Sequence, residues 1–226
     1  MFAYLAGHLL NHALGVFSLT LAEDALKLAL IFWRNPIASC LLYGAAAVHF
    51  VLALWTLYSR REWHLPLVEI VRLAAGFTFP ILLIGHAVST RLGDTLFDLR
   101  PSYTSVIGGL VAAGAEGTQL ALLAPGWLHG CLGLWIGLRR FEAMQRAKPI
   151  LIALVVLVPV MAAWGFVRMS GDVVALGPRP PASPELLAEL MTLGAWKERL
   201  KTWYLATIAT VFLAGRLRAF MLTRSA

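Results

Sequence analysis

Apolar residues run along this chain in long blocks. Stretches of about 20, the length that crosses the hydrocarbon core of a bilayer, cover Met1–Ala22, Ile37–Tyr58, Leu67–Val88, Thr118–Leu138, Ile150–Val167 and Trp203–Met221. The pattern predicts an all-α integral membrane protein with six transmembrane helices. A weaker apolar piece, Val106–Ala115, precedes the fourth span as a half-helix or as its early start. Residues 25–33 are too short to cross, and Glu23, Asp24 and Lys27 make them interfacial. After the fifth span, Gly177-Pro178-Arg179-Pro180-Pro181-Ala182-Ser183-Pro184 is incompatible with helix. Ser183 followed by Pro184 is a helix-start signal. Apolar and charged residues then mix from Glu185 to Lys201, so residues 170–201 are expected to form an extracytoplasmic loop with a short surface helix. No repeat divides the chain, and residues 1–226 are read as a single domain.

Composition narrows the class. The chain is 59% apolar and 14% charged, against about 25% charged in soluble domains. So much Leu, Ala and Val excludes disorder. The two cysteines, Cys40 and Cys131, are too few for a disulfide scaffold and read as small apolar fillers. A net charge of +7 bears on topology here, not on nucleic acid. Arg60, Arg61, Arg139, Arg140, Arg146, Lys148, Arg216, Arg218 and Arg224 fall on one side of the predicted membrane, and Arg34, Arg91 and Arg100 on the other. The excess of basic residues marks the cytoplasmic side, which puts both termini in the cytoplasm. No basic segment precedes the first apolar run, so no secretory signal is expected. The abrupt start at Met1 suggests a shortened chain.

No nucleophile elbow, phosphate-binding loop, zinc-protease motif or dinucleotide fingerprint occurs, and without Cys-x-x-Cys-His no haem is attached covalently. What remains is histidine. Of the six, His8, His12, His49, His86 and His129 fall within spans, while His64 sits in a polar loop. A polar ring in hydrocarbon costs free energy unless paired or ligated, so it marks a functional site by default. His8 and His12 share one helix face, and His49, His86 and His129 follow one per helix. That distribution suits a four-helix core holding haem b, whose iron takes one imidazole from each of two helices. Gly15, Gly44, Gly85, Gly130 and Gly133 lie near these histidines and would let a macrocycle approach. Arg60, Arg61, Arg72, Arg91 and Arg139 are placed to meet carboxylates at the membrane edge. The plainer readings are helix-to-helix hydrogen bonds for single histidines, ordinary packing for the glycines and a simple ion pair for Glu69 and Arg72. The tryptophans read as interfacial anchors, with Trp127 either among them or packed on a porphyrin.

His8-Leu9-Leu10-Asn11-His12-Ala13-Leu14-Gly15, Trp33-Arg34-Asn35-Pro36, Gly85-His86-Ala87-Val88-Ser89-Thr90-Arg91 and Trp127-Leu128-His129-Gly130-Cys131-Leu132-Gly133 resemble the six-helix dihaem-b membrane anchor of certain bacterial class III adenylate cyclases. That anchor is similar in turn to the cytochrome b subunits of succinate dehydrogenase and fumarate reductase. The resemblance covers nearly the whole chain, best through residue 141. It implies a multi-pass protein of the bacterial inner membrane with two haems b. The implied ligands are His8 or His12, His49, His86 and His129, and the haems would respond to the quinone pool. It also implies a cytoplasmic cyclase domain as output and a homodimer, expected because class III cyclase catalytic domains pair. Two departures stand out: the region before His8 is short, and residues 1–226 contain no cyclase domain, so this polypeptide is not expected to make cyclic AMP by itself.

The leading expectation is therefore a sensor of quinone redox state that signals through the last helix. A charge added to a low-dielectric interior changes interhelical energies by more than RT. The first rival is an electron-transfer subunit carrying the same haems between quinone and a soluble redox partner. The second is a non-haem metal enzyme or transporter built on His8-x-x-x-His12. The scarcity of intramembrane carboxylates, with Glu116 the single plausible one, counts against it.

Overall fold

The computed structural model describes residues 1–177 and 180–224, so Pro178 and Arg179 of the proline-rich loop lie outside the described residues. The described residues form α-helices joined by short connections, with no strand. In chain order they are α1 (Phe2–Leu14), α2 (Leu19–Trp33), α3 (Pro36–Ser59), α4 (Leu67–Ala87), a π-helical turn (Val88–Leu92), α5 (Gly93–Phe97), α6 (Tyr103–Ala112), α7 (Glu116–Leu138), α8 (Glu142–Arg146), α9 (Lys148–Ala175) and α10 (Pro184–Arg224). Five helical stretches are long and apolar enough to cross a membrane: α3, α4 continued through α5, α7, α9 and α10. The protein is membrane-embedded.

The first apolar block differs from the expectation of one continuous span. It breaks after Leu14, and 13- and 15-residue helices follow one another. At about 1.5 Å per residue they reach about 20 Å each, short of the roughly 30 Å of hydrocarbon. Local chemistry makes the break. Gly15 ends α1, its N–H bonded to the His12 carbonyl, and Ser18 starts α2 by accepting from the Leu21 N–H at 3.0 Å. Backbone freed inside a membrane protein must find partners. Here the guanidinium of Arg168, on α9, donates to the Val16 carbonyl. Ser18→Ala is expected to destabilise the fold by about 1 kcal/mol, read as a lower midpoint of unfolding in mixed micelles; an unchanged midpoint would show that the cap contributes nothing.

Two other boundaries moved outward. Residues 170–175 continue α9, and α10 runs unbroken for 41 residues from Pro184, so the expected surface helix and the last span are one element. The reason is phase. No proline or cap separates Lys201 from Trp203, and Glu198 bridges to Lys201 at 3.3 Å within the helix. The start was legible, with Ser183 Oγ accepting from the Leu186 N–H. At the other boundary α4 passes into the π turn, and the helical path reaches Phe97. The half-helix read at 106–115 is α6, separate from α7. Ser102 and Ser105 cap α6 reciprocally, and Gly114 turns the chain at φ 60°.

Packing follows one dominant pair. α4 lies antiparallel to α7, with α1 and α9 packed together on one side and α3 against α10 on the other. Buried residues gather in two clusters. One, around Ile107, Phe166, Met169 and Val173, joins α2, α6 and α9. The other, around Leu9, Trp127 and Ala162, joins α1, α7 and α9. Trp127 stacks on Phe2 at 5.5 Å and donates to the Val155 carbonyl at 2.8 Å. It is 5% exposed, so it is a core residue and not an interfacial anchor.

Candidate functional site

The antiparallel register of α4 on α7 sets the depth of everything that follows. Gln119 meets His86, Gly126 faces Phe79 and His129 rests on Gly76. Each step forward along α7 is matched by an equal step back along α4. Ten residues of α4 separate Gly76 from His86, about 15 Å at 1.5 Å per residue. Histidine therefore collects at two levels of the bundle.

At the first level α1 contributes a stripe, Tyr4, His8 and His12, one helical turn apart. The Tyr4 and His8 rings stack at 5.9 Å, and the Nε2 atoms of His8 and His12 lie 3.2 Å apart. His86 of α4 brings its ring to 5.7 Å from that of His8. His12 turns instead toward Tyr103 and Phe166, at 5.2 and 6.3 Å. His86 Nδ1 lies 3.1 Å from Gln119 Nε2, which donates to it; with the amide turned over, its oxygen would accept from Nδ1–H instead. The π turn begins two residues later, a deformation frequent at functional sites. There Thr90 Oγ1 donates back to the His86 carbonyl at 2.7 Å.

These side chains line a cavity of about 210 Å³. Its polar rim is cationic. Arg34 is paired with Asp94 and donates to the Thr90 carbonyl, while Arg91 lies 5.8 Å above the Tyr43 ring. Both line the cavity.

At the second level His49 of α3 and His129 of α7 hold their ring centres 5.7 Å apart. His129 Nδ1 lies 3.0 Å from the Arg72 carbonyl. A carbonyl only accepts, so Nδ1 carries the proton and Nε2 keeps its lone pair, the tautomer that ligating histidines adopt. Gly76 makes room for this ring: a Cβ there would stand 2.7 Å from His129 Cε1 and Nδ1. One turn before Gly76, Arg72 and Arg60 converge on Glu69 at 2.7 and 3.0 Å. His49 is exposed on the outer face of the chain.

All five span histidines thus fall into the two groups, and His64 stays exposed in its loop. Of the arginines singled out in the sequence, Arg91 reaches the first group, and Arg72 and Arg60 flank the second. Arg61 and Arg139 are exposed away from both. Of the glycines, Gly15 contacts α9, Gly130 faces Phe2, Gly85 faces Lys197, and Gly44 and Gly133 border open space. Sequence reading missed Gly76, Gln119, Tyr103, Asn11 and Arg34. An isolated Gln or Tyr in an apolar run carries the same signal as histidine, a polar group that must be satisfied.

Chemically, each group offers two facing imidazoles. Among the described residues no cluster of three or more His, Cys, Asp or Glu side chains is arranged to hold a metal ion. Two ligands are too few for a bare ion but enough for a metal already held by another donor set. No protein-family model, curated protein or solved structure matches this chain.

Proposed function

We propose that the protein is a membrane cytochrome b with two haems, one between His8 and His86 and one between His49 and His129. The observation that carries this reading is the repeated pairing itself. With metal–imidazole bonds of about 2 Å, two trans imidazoles have ring centres about 6 Å apart. Both pairs stand at 5.7 Å and each joins two different helices; the second pair has no further histidine beside it, and the first has only His12, next to His8. Gly76 and the tautomer of His129 fit the same group. His12, turned away from His86, is the weaker candidate at the first level; its Nε2 lies 3.2 Å from His8 Nε2, a contact that would open when His8 Nε2 holds the iron. When bound, haem supplies one-electron redox chemistry. The chain's own contribution is to hold the imidazoles and to present cations for carboxylates at the two edges: Arg34 and Arg91 at one, Arg60 and Arg72 at the other.

The reading extends to a multi-pass bacterial inner-membrane sensor, both termini cytoplasmic, that follows quinone redox state and regulates a cytoplasmic adenylate cyclase domain, working as a homodimer. The unbroken α10 supports it, because a continuous helix transmits a displacement without a hinge. The alternative, electron transfer between quinone and a soluble partner, is favoured by the two levels about 15 Å apart, which lay out a path across the membrane.

The test is a dithionite-reduced minus air-oxidised spectrum of the purified protein with a pyridine haemochrome count. A sharp b-type α-band with about two haems per chain is expected. A colourless preparation after expression with added haem precursor would overturn the assignment.

A further inference from the structure

Where α10 crosses the end of α3, three arginines meet without an acidic partner among the described residues. Arg61 lies just past the last turn of α3, and Arg216 and Arg218 lie near the end of α10. Glu69 is taken by Arg60 and Arg72, and Glu62 is exposed in the loop. The fold nevertheless holds the three cations in one corner. Gly215 lets α10 approach so closely that a Cβ there would stand 2.7 Å from the Tyr58 carbonyl oxygen. Arg216 donates to the Arg61 carbonyl at 3.3 Å, and the Arg218 guanidinium lies 5.3 Å from the centre of the Tyr58 ring. Trp63, packed edge-on against Phe212 at 5.4 Å, ties the same loop to α10.

A guanidinium carries five N–H donors, and Arg216 gives one of them to the Arg61 carbonyl. The other donors of the three side chains have no protein acceptor among the described residues. Uncompensated like charges gathered in this way repel one another, and an anion between them would remove the repulsion. The depth of the corner selects the anion. The apolar run of α3 ends at Tyr58, so the arginines sit where the helix leaves hydrocarbon. Trp55 and Tyr58, with ring centres 6.0 Å apart, have the chemistry of a membrane–water boundary. One turn deeper, Trp55 and Leu213 are each 65% exposed. An occupant that satisfies the whole corner has an anionic head and an apolar body. Inorganic phosphate lacks the body, and an acidic protein segment stays outside the hydrocarbon.

We infer that the α3–α10 corner binds an anionic phospholipid, its phosphate held by Arg61, Arg216 and Arg218 and its acyl chains lying along Trp55 and Leu213. Guanidinium forks match phosphate oxygens in pairs. Basic pockets between helices at a membrane edge are a recurrent form of head-group recognition. The site uses none of the residues assigned to haem, so it is independent of that reading.

The experiment places the full chain in phosphatidylcholine nanodiscs with rising fractions of phosphatidylglycerol, whose head group is a monoanion. Native mass spectrometry counts the lipid that stays on the protein, and the thermal midpoint is recorded alongside. Wild-type protein is expected to retain phosphatidylglycerol over phosphatidylcholine by about tenfold or more, with a higher midpoint. Arg61→Gln changes a side chain without a partner among the described residues, so it leaves the packing intact and should lower that preference about fivefold. Arg61→Gln/Arg216→Gln/Arg218→Gln should abolish it; if that variant does not fold, Arg61→Gln decides alone. Arg139→Gln/Arg140→Gln, in the exposed turn after α7, should keep it. Equal retention of the two lipids by wild type, or wild-type preference in Arg61→Gln, would overturn the proposal. So would an equal loss in Arg139→Gln/Arg140→Gln, by showing a general attraction of the basic edge and not a site. Displacement of the retained lipid by glycerophosphoglycerol, the head group without chains, or by an acidic peptide would overturn it too, by assigning the corner to a soluble anion or a protein.

Discussion

Replacing His129 by alanine is expected to remove one of two haems and leave the other. The ring is held by the Arg72 carbonyl at 3.0 Å and seated on Gly76, and it faces one other imidazole, that of His49. If each pair holds a haem as proposed, removing one of its two imidazoles would leave that group lost or weakly held. His86→Ala should do the same at the other level, because it faces His8 about 15 Å away along α4. The double variant should be colourless, and His64→Ala, in an exposed loop, should match wild type. The haemochrome count reads each outcome: two, one, one and none. Wild-type haem in both single variants would end the assignment, and loss of both haems from each single variant would show that the levels are not independent.

A comparably large effect is expected at a residue with no chemistry of its own. Gly165 of α9 lies against the backbone of α1 so closely that a Cβ would run into the His12 carbonyl oxygen, and Gly15 across the contact has the Met169 side chain at 2.7 Å from its own Cβ position. Overpacking usually costs about 1–3 kcal/mol, relieved by movement of flexible side chains. Here the obstacle is main chain, so Gly165→Leu must push α1 off α9. Because α1 carries His8 and His12, the variant is expected to lose the haem at the first level while keeping that between His49 and His129, which lie on α3 and α7. Gly171→Leu on the same helix, where a Cβ meets nothing within 4 Å, is the control and should be near neutral. Two haems in Gly165→Leu would mean that α1 docks elsewhere than on α9.

Much of the helix pattern could be read from the chain because bilayer thickness writes itself into apolar block length. α3 begins at Pro36 behind the Asn35 cap and α4 at Leu67, within a residue of expectation. The break at Gly15–Ser18 escaped because a window of apolar residues is blind to a glycine and a serine three apart, whose effect is local and covers four residues. α9 was cut short at Val167 because Arg168 reads as an end signal. Only the fold reveals that Arg168 satisfies a carbonyl 152 residues earlier. That the five histidines would gather was legible, since hydrocarbon leaves polar rings few other reasons to be there. Their pairing was not: that His8 faces His86, and His49 faces His129, depends on how α1 and α3 dock against the α4–α7 pair, a tertiary property with no periodic signature. The arginines divided for the same reason, Arg91 facing inward and Arg139 outward.

The helix α10 has a mechanical meaning beyond its role as a span. Its 41 residues make a rod of about 60 Å, roughly twice the hydrocarbon thickness. It is pinned at several heights. Leu193 abuts Gly93 beside the π turn, Tyr204 donates to the Phe77 carbonyl at 2.9 Å, and Gly215 presses on the backbone of Tyr58, with Trp63 against Phe212. Such a rod acts as a lever with its fulcrum inside the bundle. From Leu193, beside the π turn, to Arg224 the arm is about 46 Å, so a tilt of about 5° there would move the far end by about 4 Å. Under the proposed function, a small adjustment beside the His86 imidazole would reach the end of α10 enlarged by that arm.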